Sequence, residues 1–195
     1  MQAAGCREII VTDTKGAIFD GRVDIDNQNP YKKEISINTN FRKLNGTLLE
    51  VIRKSDVFIG VSGKAGILNK QMIESMNKDA IVFALSNPDP EIIPNRASEY
   101  GARIVATGRS DFPNQINNAV VFPSVFRALL DLRTNNLSEF MLVCVAHAIG
   151  SIVEDVHLRN DYIIPKVDDP RILPIVTKTI KRHLAEILKT ISVPR

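Results

Sequence analysis

From Arg103 to Pro123 the chain reads RIVATGRSDFPNQINNAVVFP, a buried-strand pattern that runs directly into side chains able to do chemistry. A short apolar run, Ile104–Ala106, breaks at Gly108 and is followed by Arg109, Asp111, Asn114, Gln115, Asn117 and Asn118. Amides and charges placed just past a buried strand are costly unless something hydrogen-bonds them. Two readings meet that requirement. One is an ordinary polar loop closing on a helix cap; the other is a ligand site, since open α/β sheets bind ligands at the carboxyl ends of their strands. The chemistry of such a set is orientation, because an amide both donates and accepts.

The elements that must position these residues are legible as alternating runs. Ile9–Thr12, Val57–Val61, Ile81–Leu85 and Ile104–Ala106 are too short and apolar for surface helices and read as strands, DVFIGV (56–61) as a buried one. Helical segments separate them, which implies βαβ crossovers and a mainly parallel sheet. A polar or small group follows each strand: Asp13, Ser62-Gly63, Ser86-Asn87 and the Gly108 loop. A parallel sheet sets all four along one rim, which favours the ligand reading. Asp13 stands where a dinucleotide fold keeps an acid for a ribose hydroxyl, although aspartate also caps turns routinely. Ser62-Gly63-Lys64-Ala65-Gly66 fails the spacing of a P-loop and lacks the hydroxyl after its lysine. What stays open is a small-residue turn that a nucleotide can approach. Pro88 pushes Asn87 out of the helical region and stops the third strand.

Helices are expected after Pro30, after Thr47 with Glu50 completing a capping box, over Gln71–Met76, and over Pro94–Tyr100. Gly21–Tyr31, with Asp24, Asp26, Asn27 and Asn29, reads as a loop. From Val120 onward the pattern is all helical: Val121–Arg133, then Ser138–Ile152 capped by Ser138 and apolar enough to be almost wholly buried. A proline-punctuated link, Arg159–Pro174, leads to an amphipathic helix over Ile175–Ile191. His147 reads as a satisfied core histidine. Glu154, Asp155 and His157 fall at a helix end, where such spacing converges poorly on a metal and suits a solvated terminus.

The 195 residues suit one domain, and 44% hydrophobic with 24% charged residues is ordinary for a soluble protein. No apolar run is long enough to span a membrane, and Met1–Gly5 does not resemble a signal peptide. Cys6 and Cys144 carry no metal or redox spacing, which points to a reducing compartment. A net charge of +3 gives no case for nucleic acid, and Lys178, Lys181, Arg182 and Lys189 read as a solvated helix face.

DTKGAIFDGR (13–22), DVFIGVSG (56–63), FALSNPDPEI (83–92) and ATGRSDFPNQINNAVVFPSVFRALLD (106–131) together resemble the NAD(P)-binding C-terminal domain of malic enzymes, the decarboxylating malate dehydrogenases. YIIPKVDDPRI (162–172) is similar to a segment near the end of small bacterial and archaeal members. The resemblance covers nearly all of residues 1–195, taken as one partial NAD(P)-binding domain. It implies a Rossmann-like, doubly wound α/β fold with C-terminal helices, whose first strand and G-x-G-x-x-G turn would precede Met1. The family domain that supplies the catalytic tyrosine and lysine and the acidic metal ligands is expected to lie outside this chain as well. No catalytic or metal-ligating residue is therefore assigned here.

The resemblance further implies oxidation of malate at C2, hydride transfer to NAD, with NADP as an alternative, and loss of CO2 to give pyruvate. By the same match Asp13 is the ribose-side acid, and Ser62 and Gly63 form a turn beside the cofactor. Asn87 and Asn117 contact both the nicotinamide end and malate, with Asn118 as a further substrate contact. Asp13 favours NAD, a preference that Lys15 and Arg22 nearby weaken. The Mg²⁺ or Mn²⁺ of the reaction belongs to the complete enzyme, expected as a cytoplasmic homodimer. The rival expectations are a non-catalytic nucleotide-binding or regulatory module of the same descent, and a different dehydrogenase sharing only the sheet.

Overall fold

The computed structural model describes residues 1–25 and 29–191, with side chains as far as residue 186. Asp26 and Asn27 of the polar loop, and the Lys189 side chain, lie outside the described residues. The chain forms two compact units, residues 1–104 and 105–195.

In the first unit, Thr12–Asp13 (β1) folds back on Gly16–Ala17 (β2) as a short antiparallel hairpin. Pro30–Asn38 (α1) and Leu48–Val51 (α2) follow, then Val57–Gly60 (β3), Lys70–Ser75 (α3), Ile81–Ala84 (β4) and Pro94–Glu99 (α4), and Ile104–Thr107 (β5) begins at the unit's last residue. A three-stranded sheet has the order β3-β4-β5, with β3 and β4 parallel in the register Val57↔Ile81 to Gly60↔Ala84. The caps follow the sequence. Pro30 opens α1, whose Asn29 side chain accepts from Lys32 N–H, and Thr47 with Glu50 forms a capping box on α2.

In the first unit two expectations differ from the structure. Ile9–Thr12 is not a strand of the parallel sheet. The chain reverses after Asp13, so Val11 C=O accepts from Ile18 N–H at 2.7 Å and Ile9 C=O accepts from Asn40 N–H at 2.8 Å. An apolar run reports burial but not the partner that its backbone will take. The second correction concerns β3, which is buried on one face alone. Phe58 and Gly60 point inward, whereas Val57, Ile59 and Val61 are exposed, as suits a strand at the end of the sheet order.

In the second unit Phe122–Asp131 (α5), Glu139–Gly150 (α6) and Ile172–Ile191 (α7) bury a core that includes Val125, Met141, Val145, Val176 and Ile180. Ser138 caps α6 by accepting from Met141 N–H, as its position implies. The helix is nevertheless not wholly buried. Met141, Val145 and Ile149 form its inner stripe, while Phe140, Leu142 and His147 are exposed, so His147 is no core histidine. On α5 the residues Phe122, Phe126 and Leu130 also face outward. Met141→Ala should remove about 2–5 kcal/mol of stability in urea unfolding because the cavity cannot fully collapse. Leu142→Ala, one residue along and exposed, should remove under about 1 kcal/mol.

Candidate functional site

Two turns lie side by side beyond β3 and β4, set level by the parallel register of those strands. Ser62 Oγ is 3.4 Å from Ser86 Oγ, and Gly63 N–H donates to Ser86 Oγ at 2.8 Å. Both turns rest on Glu91, which is 0% exposed. Its carboxylate accepts from Ser62 N–H at 3.2 Å, the Ser62 hydroxyl at 3.1 Å, Ser86 N–H at 3.0 Å and the Ser86 hydroxyl. Gly60 leaves the necessary room, since a Cβ there would sit 2.3 Å from Glu91 Cδ. Burial pushes the Glu91 carboxyl up, but the Ser86 hydroxyl and the backbone N–H groups together hold it below its ordinary value. It is an anion at neutral pH.

Lys64 N–H donates to Ser62 Oγ at 3.1 Å. The N–H groups of residues 62, 63 and 64 are thus all turned toward the protein, and this turn offers no phosphate cradle. Gly63 has φ +68° with nothing within 4 Å of where a Cβ would stand, so the turn is open on its outer side. Asn87 is exposed beside it. Glu91 escapes a reading by motif, yet two sequence signals mark it. It is an acid between Pro90 and Ile92-Ile93-Pro94, and Gly60 interrupts an apolar strand, the usual sign of a close approach. A cleft of about 570 Å³ lined by Leu68, Lys70, Ile93 and Arg96 flanks this region without including Ser62, Gly63 or Asn87.

Asp13 sits apart from that pair of turns, in the β1–β2 hairpin. Its Oδ1 accepts from Arg22 Nη1 at 3.0 Å and Lys15 N–H at 2.9 Å. Its Oδ2 accepts from Arg22 Nη2 at 2.7 Å and Lys32 Nζ at 2.6 Å. A carboxylate offers about four acceptor positions, and all are in use. The Arg22 hydrogen bonds, with help from Lys32 and Lys15, hold the Asp13 carboxyl far below the usual range despite burial. Arg22 is 90% buried along its side chain, also donates to Gly16 and Ala17 carbonyls, and lies against Asp24. Lys15, Arg22 and Lys32 around Asp13 and Asp24 leave one positive charge in excess.

In the second unit the Gly108 loop is held mainly by Asn114, buried at φ +55°. Its Nδ2 donates to Val105 C=O at 3.0 Å and Asn160 C=O at 2.7 Å, and its Oδ1 accepts from Ile163 N–H at 3.0 Å. Both Nδ2 protons of that amide are thus committed to structure. Asn117 is half occupied: Nδ2 donates to Gly108 C=O at 3.1 Å and Oδ1 accepts from Ala119 N–H at 3.0 Å. One N–H and one lone pair remain for a ligand. Asn118 is exposed. Arg109 pairs with Asp111 through two bonds of 2.8 and 2.7 Å and holds its carboxyl low. Glu154, Asp155 and His157 are exposed at a 3₁₀ turn, and no group of three metal-binding side chains forms among the described residues.

Residues 1–185 match the family described as malic enzyme, NAD binding domain. The chain belongs to the malic enzyme family. It is 46% identical over 182 residues to the bifunctional malic/malolactic enzyme of Bacillus subtilis (strain 168), covering 93% of this chain and 44% of that protein. It is 45% identical to the NAD-dependent malic enzyme of Geobacillus stearothermophilus, covering 91% of this chain and 36% of that one. The crystal structure of Entamoeba histolytica malic enzyme superposes with a TM-score of 0.84 at 36% identity, over 91% of this chain and 37% of that one. Relatives at 33–38% identity bear the name NADP-dependent malic enzyme. The chain thus spans less than half the length of each of these malic enzymes. The shared fold confirms the α/β, Rossmann-like reading.

The ion pairs of Asp13 give a pH-dependent prediction. A folded pKa below the ordinary 3.8 contributes stability above that value and loses it as pH falls toward the folded pKa. Asp13→Asn should cost about 2–4 kcal/mol at pH 7, since it leaves Arg22 buried and short of a partner. Urea unfolding from pH 7 to pH 2 should show the difference from the parent chain narrowing from about pH 4 downward.

Proposed function

We propose that this chain holds the dinucleotide of a malic enzyme that oxidises malate and releases pyruvate and CO2. The observation carrying the proposal is the pairing of the Ser62-Gly63 and Ser86-Asn87 turns beyond neighbouring parallel strands, with Asn87 exposed beside them. In a doubly wound sheet that is where a nucleotide is received.

The residues present suit the nicotinamide and ribose end. Gly63 leaves an open outer surface, and the Asn87 amide can donate to and accept from a carboxamide or a substrate carboxylate. In the second unit, taken by itself, Asn117 keeps one N–H and one lone pair available while its other bonds keep the loop closed, and the family match assigns it and Asn118 to contact with malate. What the bound dinucleotide supplies is a hydride acceptor for C2 of malate. These side chains contribute orientation, which can lower a barrier by up to about 7 kcal/mol when both reactants are held in register. Asp13 serves the adenosine ribose only if a hydroxyl replaces one of its present donors. Lys32, with its side chain 37% exposed, is the partner best placed to yield. The positive excess around Asp13 lessens the repulsion of a 2′-phosphate, so we assign NAD as the cofactor with NADP accepted.

The described residues assemble no donor set for a divalent ion, and no step is assigned to one here. From family membership we also infer a homodimeric, cytoplasmic enzyme. Malate turnover by the 195-residue chain on its own should read as background, because no residue in it matches the family's base or acid.

Titration of ¹⁵N-labelled chain with NAD should shift the amide signals of Ser62, Gly63 and Asn87. Saturation is expected in the high micromolar to millimolar range, about −4 to −5 kcal/mol. Shifts confined to other residues, or clear malate oxidation by the isolated chain, would refute the assignment.

A further inference from the structure

We propose that Glu91 is the positioning residue of the cofactor site, fixing through Ser62 and Ser86 the backbone of both turns. The proposal rests on the assignment of those turns to the dinucleotide.

The geometry exceeds what packing requires. Glu91 is fully buried, and no ion pair among the described residues includes it, so neutral donors alone compensate its charge. Burying a carboxylate without a cation is expensive, and an apolar side chain would fill the same volume without that cost. What the carboxylate brings instead is acceptance for an N–H and a hydroxyl from each turn, three of these bonds converging on Oε1 and the Ser86 N–H going to Oε2. Gly60 is the second, independent sign. Any side chain there would displace the Glu91 head group, whose Cδ, Oε1 and Cγ would lie 2.3, 2.5 and 2.8 Å from the new Cβ.

Charge also sets the direction of each bond. An ionised carboxylate can only accept, so the single proton of the Ser86 hydroxyl is directed at Glu91. A Ser86 lone pair is then left for Gly63 N–H at 2.8 Å. In the same way the Ser62 hydroxyl donates to Glu91 at 3.1 Å and receives Lys64 N–H at 3.1 Å. Two relays thus run from one carboxylate through one hydroxyl each to consecutive amides of the glycine turn. Glu91 is anchored in its turn, since its own C=O accepts from Leu68 N–H at 3.1 Å.

Glu91→Gln keeps the shape but sets an NH2 group against N–H donors, and Gly60→Ala moves the carboxylate while removing no polar atom. In both folded variants, amide hydrogen exchange at Gly63 and Lys64 should accelerate about tenfold or more, and the NAD dissociation constant should rise about tenfold. Exchange around Asp13 should stay as in the parent chain. Unchanged exchange at Gly63 and Lys64 in both variants would overturn the relay. Faster exchange with unchanged NAD affinity would overturn the positioning role while leaving the cofactor assignment intact. Absence of NAD-induced shifts at residues 62–64 and 86–87 of the parent chain would overturn that assignment, and the positioning role with it. Should Glu91→Gln fail to fold, Ser86→Ala cuts one relay at its hydroxyl and is judged by the same two measurements.

Discussion

A charge with no access to water dictates the arrangement of everything near it. Glu91 is fully buried, and its carboxylate is tolerable because four donors converge on it. Those donors sit on two segments far apart in sequence, so satisfying the carboxylate ties the end of β3 to the end of β4. The strand register and Gly60 are preconditions: one brings the ends level, the other lets the acid approach. Loss of any one of these would leave a polar group unsatisfied in the interior, a penalty comparable to a sizeable part of a domain's stability.

A second ionic centre, Asp13 with Arg22 and Lys32, does the equivalent work in the hairpin that precedes the sheet. The two differ in kind. Glu91 is held by neutral groups and orients a turn, whereas Asp13 is held by cations and leaves positive charge in excess. Members of the family are named for either nicotinamide dinucleotide.

What could be read from the sequence follows from what each element depends on. The strands over 57–60, 81–84 and 104–107, and the caps at Pro30, Thr47 and Ser138, are determined by local chemistry and stand where the pattern puts them. Ile9–Thr12 has the same apolar signature, but its place is decided by which backbone comes alongside it, and that is not written locally. Exposure is not legible locally for a related reason. A helix as apolar as α6 gives little indication of which side turns outward, and His147 and Phe140 lie on that side. At the site, the amides and the small-residue turns were visible as types, but Glu91 was not. Its role comes from contacts with residues 60, 62 and 86, none of which a linear motif connects to it.

The inward direction of three successive amides has an electrostatic consequence. A trans peptide points its C=O opposite its N–H, so when the N–H groups of residues 62–64 face Glu91 and the two serines, the carbonyls of Val61, Ser62 and Gly63 face the other way. The backbone of the glycine turn thus contributes partial negative charge on its outer side, the reverse of the backbone contribution in a phosphate-binding loop, and the exposed Lys64 side chain stands against it. Sugar hydroxyls and a carboxamide NH2 are attracted to such a surface, and a pyrophosphate is repelled from it.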